Sequence, residues 1–320
     1  MSVDYAVRWH PSQLAAYTEF TRMDQGSDFM DMLWSTRGLV KWIRSSVKVS
    51  GLAFLQVVNQ FSRSIITRPG GPIVSLTTHG PRIESVHYTI ESIGRGRLRP
   101  SRLILWIDDR SLYEQLPRAL SRLKERGLEV KFSDNFGPHT KYYPFIESEA
   151  NLDAPLVTAD DDILYPSYWL CELARAYAAF PQYNNCFRAR TIALFDSYIA
   201  EYAKWELCAS TAASFSHVAN GVSGVVYSPR FQQALKVAGR EFMGCCPKAD
   251  DLWLHVQALR SGFRIRQIGK KAVHFPLIPG SQEVALFKGN CLEEDGNDRQ
   301  VKATYKHSDI SALLRESGKG

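Results

Sequence analysis

From residue 72 onwards the chain keeps a strand-then-helix rhythm, and this rhythm limits the folds open to it. Ile73–Thr77, Leu103–Ile107, Leu128–Phe132 and Leu156–Thr158 are short, mainly apolar runs of strand character. Patterns of helical spacing follow them over Arg82–Ile93, Ser111–Lys124, Lys141–Ala150 and Tyr168–Ala179. The strand starts recur at intervals of about 25 to 30 residues, the length of a βα unit. Such alternation predicts an α/β fold, a mainly parallel central sheet with flanking helices. In sheets of this kind ligands bind beyond the carboxyl ends of the strands. Those ends are polar here: Thr77–Thr78–His79, Asp108–Asp109, Asp134–Asn135 and Asp160–Asp162.

The rhythm has clear borders. Arg68–Pro69–Gly70–Gly71–Pro72 is the strongest break in the chain. Residues 1–68 before it are rich in helix formers and read as an N-terminal helical extension. Within residues 33–66, apolar positions at helical spacing alternate with Arg37, Lys41, Arg44 and Lys48. This pattern has two readings: a helix packed on the main domain, or a basic amphipathic helix in peripheral contact with a membrane. Past residue 180 the rhythm loosens. Cys186–Ile192 reads as a strand, Asn220–Pro229 as a glycine-bearing turn entering a strand, Lys248–Gly262 as a helix, Phe263–Ile268 as a strand and Ser281–Lys288 as a short helix. Residues 72–300 form the expected main domain. Residues 301–320 form a C-terminal tail, frayed from Glu316.

The 320 residues are 45% hydrophobic and 22% charged, which suits a soluble globular chain with a sizeable core. A net charge of +6 suits a phosphate-bearing ligand or an anionic surface. No basic helix, zinc-finger spacing or RNA-binding aromatic motif accompanies it, so nucleic acid is not an expected partner. The six cysteines form no CxxC pair and read as reduced thiols. No signal peptide and no apolar run of about 20 residues is present, so the expected location is cytoplasmic, with the inner face of the plasma membrane as a peripheral option.

Chemistry concentrates at two acidic motifs. Asp160, Asp161 and Asp162 follow an apolar strand directly. If the chain stays extended, Asp160 and Asp162 point the same way and offer paired hard oxygen ligands to Mg²⁺ or Mn²⁺. Asp161 would then face elsewhere, towards a bound ligand. The plainer alternative is an acidic turn capping a helix. Asp250 and Asp251 open a second helix. One acid there is explained by capping; a carboxylate held at a substrate hydroxyl can instead act as general base, Asp251 first and Asp250 as orienter or substitute. Lys141, at an expected helix start, would favour a phosphate. Thr77, Thr78 and Arg82 after the first strand would grip a nucleotide. His274 reads as a metal or phosphate partner or as a structural histidine, and Asn297–Gln300 as a closure of the donor side or a solvated turn.

Taken in order, Ser75–Thr78, His139–Pro144, Asp160–Asp162, Gly224–Pro229, Asp250–Trp253 and Asn297–Gln300 resemble the motifs of the GT-A glycosyltransferases, especially bacterial enzymes of surface-polysaccharide loci. The resemblance spans roughly residues 72–300. It implies a Rossmann-like GT-A fold with a DxD metal motif, a nucleotide-sugar donor, and a glycan or lipid-linked acceptor in cell-surface polysaccharide or glycolipid synthesis. It implies Mn²⁺ or Mg²⁺ at Asp160 and Asp162 with His274 as a further ligand. Thr77, Thr78, Arg82, Lys141 and Asp161 would lie on the donor side. Asp251 would act as base with inversion, and Gly221, Gly224 and Trp253 would lie on the acceptor side. Two alternatives stand beside it: a sugar-phosphate transferase or nucleotidyltransferase on a related sheet, and a non-catalytic carbohydrate- or partner-binding protein.

Overall fold

The structure, a computed structural model, describes residues 50–195, 198–281 and 296–318. Its strands are β1 Ile73–Thr78, β2 Arg102–Ile107, β3 Leu128–Phe132, β4 Leu156–Ala159, β5 Asn184–Cys186, β6 Ala189–Thr191, β7 Leu194–Phe195, β8 Tyr198–Ile199, β9 Glu206–Leu207, β10 His217–Ala219, β11 Val225–Tyr227 and β12 Ile265–Gln267. Seven of them form the central sheet in the order β12-β5-β11-β4-β1-β2-β3. Its pairs are parallel except where β11 runs antiparallel to β4 and β5. The fold is therefore α/β and Rossmann-like, with a mostly parallel sheet and flanking helices. A smaller sheet, β10-β6-β9, and the β7-β8 hairpin stand apart from it.

Side-chain alternation explains why the sheet is covered on both faces. On β2, Leu103, Leu105 and Ile107 join one apolar cluster, while Ile104 and Trp106 join the other. The helix Val86–Gly94 packs on the first cluster through Val86, Ile90 and Ile93. The helix Asp250–Arg260 packs on the second through Leu252, Trp253 and Val256.

Several expected elements are corrected. The single helix expected over Ser111–Lys124 is two, Arg110–Glu114 and Arg118–Glu125. Pro117 lacks a donor N–H and its ring clashes with the preceding turn, so the chain breaks there. The expected helix Lys141–Ala150 is a 3-10 turn, Gly137–Lys141, followed by a short helix, Tyr143–Ser148. The run Cys186–Ile192 is not one strand. The chain leaves the central sheet after Cys186 and enters the smaller sheet at Ala189. Glu316 is not frayed, because its carboxylate accepts from Ser214 Oγ at 2.7 Å and Phe215 N at 2.6 Å and pairs with Arg264 at 2.9 Å.

At the other end, residues 50–61 are helical. Asn59 is fully buried, donating to Glu91 Oε1 and Ala119 O, both at 3.1 Å, which fixes this segment on the helices Val86–Gly94 and Arg118–Glu125. Phe54, Val57, Phe61 and Ile65 remain exposed. Residues 33–49 of the amphipathic stretch and 282–288 of the expected short helix lie outside the described residues. Among the described residues no helix is long and apolar enough to cross a membrane.

Candidate active site

β1 and β4 are parallel neighbours, so their carboxyl ends open on the same edge of the sheet. β4 ends at Ala159 and the chain turns over Asp161–Asp162. The turn breaks the alternation expected of an extended strand. Asp161 and Asp162 share one guanidinium: Arg82 Nη1 lies 2.7 Å from Asp161 Oδ1, and Nη2 lies 3.1 Å from Asp162 Oδ2. Thr78 Oγ1 donates to Asp161 Oδ2 at 2.7 Å. Asp161 is thus an internal strut, and Thr78 and Arg82 hold carboxylates rather than open space. Asp160 pairs instead with Lys141, whose Nζ lies 2.8 Å away. Its second oxygen has no partner among the described residues, and its side chain is the most open of the three, 26% exposed.

Lys141 connects the two acidic motifs. The ammonium is buried between Asp160 and Asp250 Oδ2, the latter at 3.1 Å. It is not a solvated lysine at a helix start. Asp251 accepts from Gly221 N at 2.9 Å through Oδ1 and from Asn220 Nδ2 at 3.2 Å through Oδ2. Gly221 has no side chain for a local reason: a Cβ there would lie 3.1 Å from Lys141 Nζ and 3.2 Å from Asp251 Oδ1. The protein's own charges, rather than an acceptor, occupy that space. Tyr165 ties the halves together, its hydroxyl accepting from Asp160 N at 2.9 Å and donating to Val222 O at 3.3 Å. Sequence reasoning missed Tyr165 and Asn220; the only signal for Asn220 was its place directly before Gly221.

Among the described residues, Lys141 and Arg82 pair with four carboxylates, Asp160, Asp161, Asp162 and Asp250, and Asp251 stands beside Asp250 as a fifth. Burial, and then the neighbouring Asp160 charge, push the Asp162 carboxyl up to about 6, against the pull of Arg82. Burial, and then Asp250, push Asp251 up to about 7, although Lys141 opposes this. Lys141 itself is held well above its ordinary range: burial alone would lower it, but Asp160, Asp250 and Asp251 together prevail. Among the described residues no group of three or more His, Cys, Asp or Glu side chains converges as a metal cage. Mg²⁺ and Mn²⁺ at substrate phosphates need fewer, one or two carboxylates with water and phosphate oxygens completing the shell. Asp160, with its free oxygen, and Asp162, destabilised by the charge beside it, fit that requirement.

Other candidates fall elsewhere. Thr77 Oγ1 donates to Trp106 O at 3.2 Å. Trp253 is 2% exposed and packs against Phe242, so it belongs to the core and not to an acceptor surface. His274 is exposed, and its Nδ1 is paired with Phe275 O at 2.8 Å. A carbonyl only accepts, so the proton sits on Nδ1 and Nε2 keeps its lone pair when the ring is neutral. Among the described residues no hydrogen bond or ion pair joins His274 to the acids. In the polar cluster 297–300, Asp298 accepts from Tyr202 N and Gln300 from Lys248 N, so it staples loops together. Gly224 has φ +92°, and a Cβ on it would meet the Trp169 ring at 2.6 Å. It serves the packing of Trp169, whose Nε1 donates to Ser223 O at 2.9 Å. Gly224→Ala is expected to cost about 2–4 kcal/mol, from overpacking plus a left-handed backbone, read as a lower urea midpoint at unchanged slope.

No known family's sequence profile matches the chain, and no curated protein does. Solved structures do. A CMP:2-keto-3-deoxy-manno-octonic acid synthetase complexed with CTP is similar at 12% identity and a TM-score of 0.40, over 72% of this chain and 98% of that one. A 4-diphosphocytidyl-2C-methyl-D-erythritol synthase is similar at 8% identity and 0.39, over 62% and 89%. The mannosyltransferase PcManGT from Pyrobaculum calidifontis, in complex with GDP-Man and Mn²⁺, is similar at 11% identity and 0.41, over 86% and 85%.

Proposed function

We propose that the chain is a metal-assisted glycosyltransferase of the GT-A kind, moving a sugar from a nucleoside diphosphate donor to a hydroxyl of a glycan or lipid-linked acceptor. One observation carries this reading. The Asp160–Lys141–Asp250 bridge ties the carboxylates at the end of β4 to the first turn of the helix that bears Asp251. Phosphate-side and base-side chemistry are thereby built into one rigid unit.

Asp160 and Asp162 would hold Mn²⁺ or Mg²⁺, which when bound neutralises the departing diphosphate. The chain's own residues do the rest. Asp251, poised near neutrality, accepts the acceptor's proton as its oxygen attacks the sugar carbon. Gly221 N and Asn220 hold the carboxylate in place, each oxygen keeping a further lone pair for that proton. Lys141 limits the negative charge that the base and Asp160 would otherwise impose on each other. A base separate from the diphosphate-binding acids suits a direct, inverting displacement.

The test is a thermal-shift panel of nucleoside diphosphates with and without Mn²⁺. At roughly 100-fold above Kd, one nucleoside diphosphate should raise Tm by about 5 °C, and only with the metal. Asp160→Asn and Asp162→Asn should each abolish that rise. A rise that ignores Mn²⁺, or that survives both substitutions, rejects the assignment. Stronger shifts with nucleoside triphosphates than with diphosphates would favour nucleotidyl transfer instead.

A further inference from the structure

Arg188 lies where the chain crosses from β5 of the central sheet to β6 of the smaller one. Its carbonyl accepts from Asn220 N at 2.9 Å, and the Asn220 side chain donates to Asp251. Arg188 is therefore one backbone contact from the base. Its guanidinium carries five N–H donors and is half-buried. Among the described residues no carboxylate, carbonyl, hydroxyl or aromatic ring engages it. Other buried and half-buried arginines of the fold differ. Arg82, Arg102, Arg126 and Arg264 each pair with a carboxylate. Arg190, two residues on, donates to Trp205 O and lies over the Tyr202 ring.

The isolation of Arg188 is costly. Burial first, and Arg190 second, disfavour its charge, with Tyr202 and Asp251 acting the other way. A planar fork of donors kept half-dry beside another cation suits an anion arriving with a ligand. The position of Arg188 favours the base side over the donor diphosphate. β5 stands two positions from β4 in the sheet, roughly 10 Å at the usual strand spacing, and Asp251 is the site carboxylate that acts on Arg188.

We propose that Arg188 anchors an anionic group, a phosphate or a carboxylate, carried by the acceptor beside the hydroxyl that Asp251 deprotonates. This deepens the transferase reading and rests on it for the word acceptor; the anion site itself does not.

The experiment is calorimetric titration of the full chain in EDTA, which keeps phosphates off the metal side. The probes are D-glucose 6-phosphate, D-glucuronate and uncharged methyl glucoside. The wild type should bind one anionic sugar at least about 10-fold more tightly than the glucoside, the worth of a charge-assisted pair. The phosphate and carboxylate arms tell which anion the site prefers. Arg188→Gln should erase the preference and Arg188→Lys restore part of it. The ligand-free Tm of Arg188→Gln should equal or exceed that of the wild type, because no partner is lost. Its Mn²⁺-dependent nucleoside diphosphate shift should be unchanged. Equal binding of anionic and neutral sugars by the wild type, or a preference that survives Arg188→Gln, overturns the proposal. So does loss of the nucleoside diphosphate shift in Arg188→Gln, which would put Arg188 on the donor side. A wild type that prefers anionic sugars but shows no metal-dependent nucleotide shift sinks the transferase reading and leaves the anion site standing.

Discussion

Asp251→Asn is expected to lower sugar transfer by about 10²–10⁴-fold, the usual worth of a general base, while leaving the Mn²⁺-dependent nucleoside diphosphate shift intact. The substitution is nearly isosteric. The new amide oxygen can still accept from Gly221 N, and its NH₂ faces Asn220, whose buried Oδ1 has no partner among the described residues and can turn to receive it. The variant should therefore fold. Two pH profiles separate a base from a structural acid. In the wild type, kcat/KM should rise with pH through about 7, as Asp251 loses its proton, and then level off. Stability of the ligand-free protein should run the opposite way. The Asp251 pKa is raised on folding, so the folded state binds more protons than the unfolded chain from about pH 4 up to about 7. The contribution of this group is fully present below about pH 4 and is lost as pH rises through 7. Asp251→Asn should flatten both profiles and should be at least as heat-stable as the wild type at pH 8. If the variant transfers sugar within about threefold of the wild type, Asp251 is not the base.

The strands β1 to β4 were legible because apolar alternation and punctuation agree there with the tertiary demand for a two-faced sheet. Leu128–Phe132 lies where its pattern places it. The acids at 160–162 were legible as a site, but not in their geometry. A period of two holds only while the chain is extended, and β4 ends one residue before Asp160. Arg82 and Thr78 were visible as polar residues after β1, but their commitment to Asp161 arises from the parallel pairing of β1 with β4. Trp253 and Gly224 read as acceptor-side because of their motif neighbours, although a tryptophan on the apolar face of a helix is more simply core. The Lys141 bridge joins three segments far apart in sequence, and nothing local announces it. Arg188 had no local signal either. Its meaning lies in the absence of a partner, which only a structure can show.

Lys141→Met should produce the largest loss of stability of any single substitution in the site. Methionine keeps the length of the side chain and removes the charge. Asp250 and Asp160 then lose the ammonium at 3.1 and 2.8 Å, and Asp251 loses the nearby charge that holds its pKa down. Breaking a buried pair by removing one partner typically costs about 3–5 kcal/mol, because the remaining charge is left uncompensated. For a chain of this size that corresponds to a Tm lower by roughly 5–10 °C at pH 8. The deficit should depend on pH with a definite sign. Without the ammonium, burial and Asp250 act unopposed on the Asp251 carboxyl, so protons stabilise the variant more than the wild type. The gap should be small near pH 5 and should open as pH rises. Adding Asp250→Asn should recover part of the loss, since it removes one of the charges that Lys141 offset, and the two substitutions should be non-additive by about 1–3 kcal/mol. A surface lysine would show none of this. A Tm for Lys141→Met within about 1 °C of the wild type at pH 8 would mean that the bridge between the two acidic motifs does not exist in solution, and the shared site would dissolve with it.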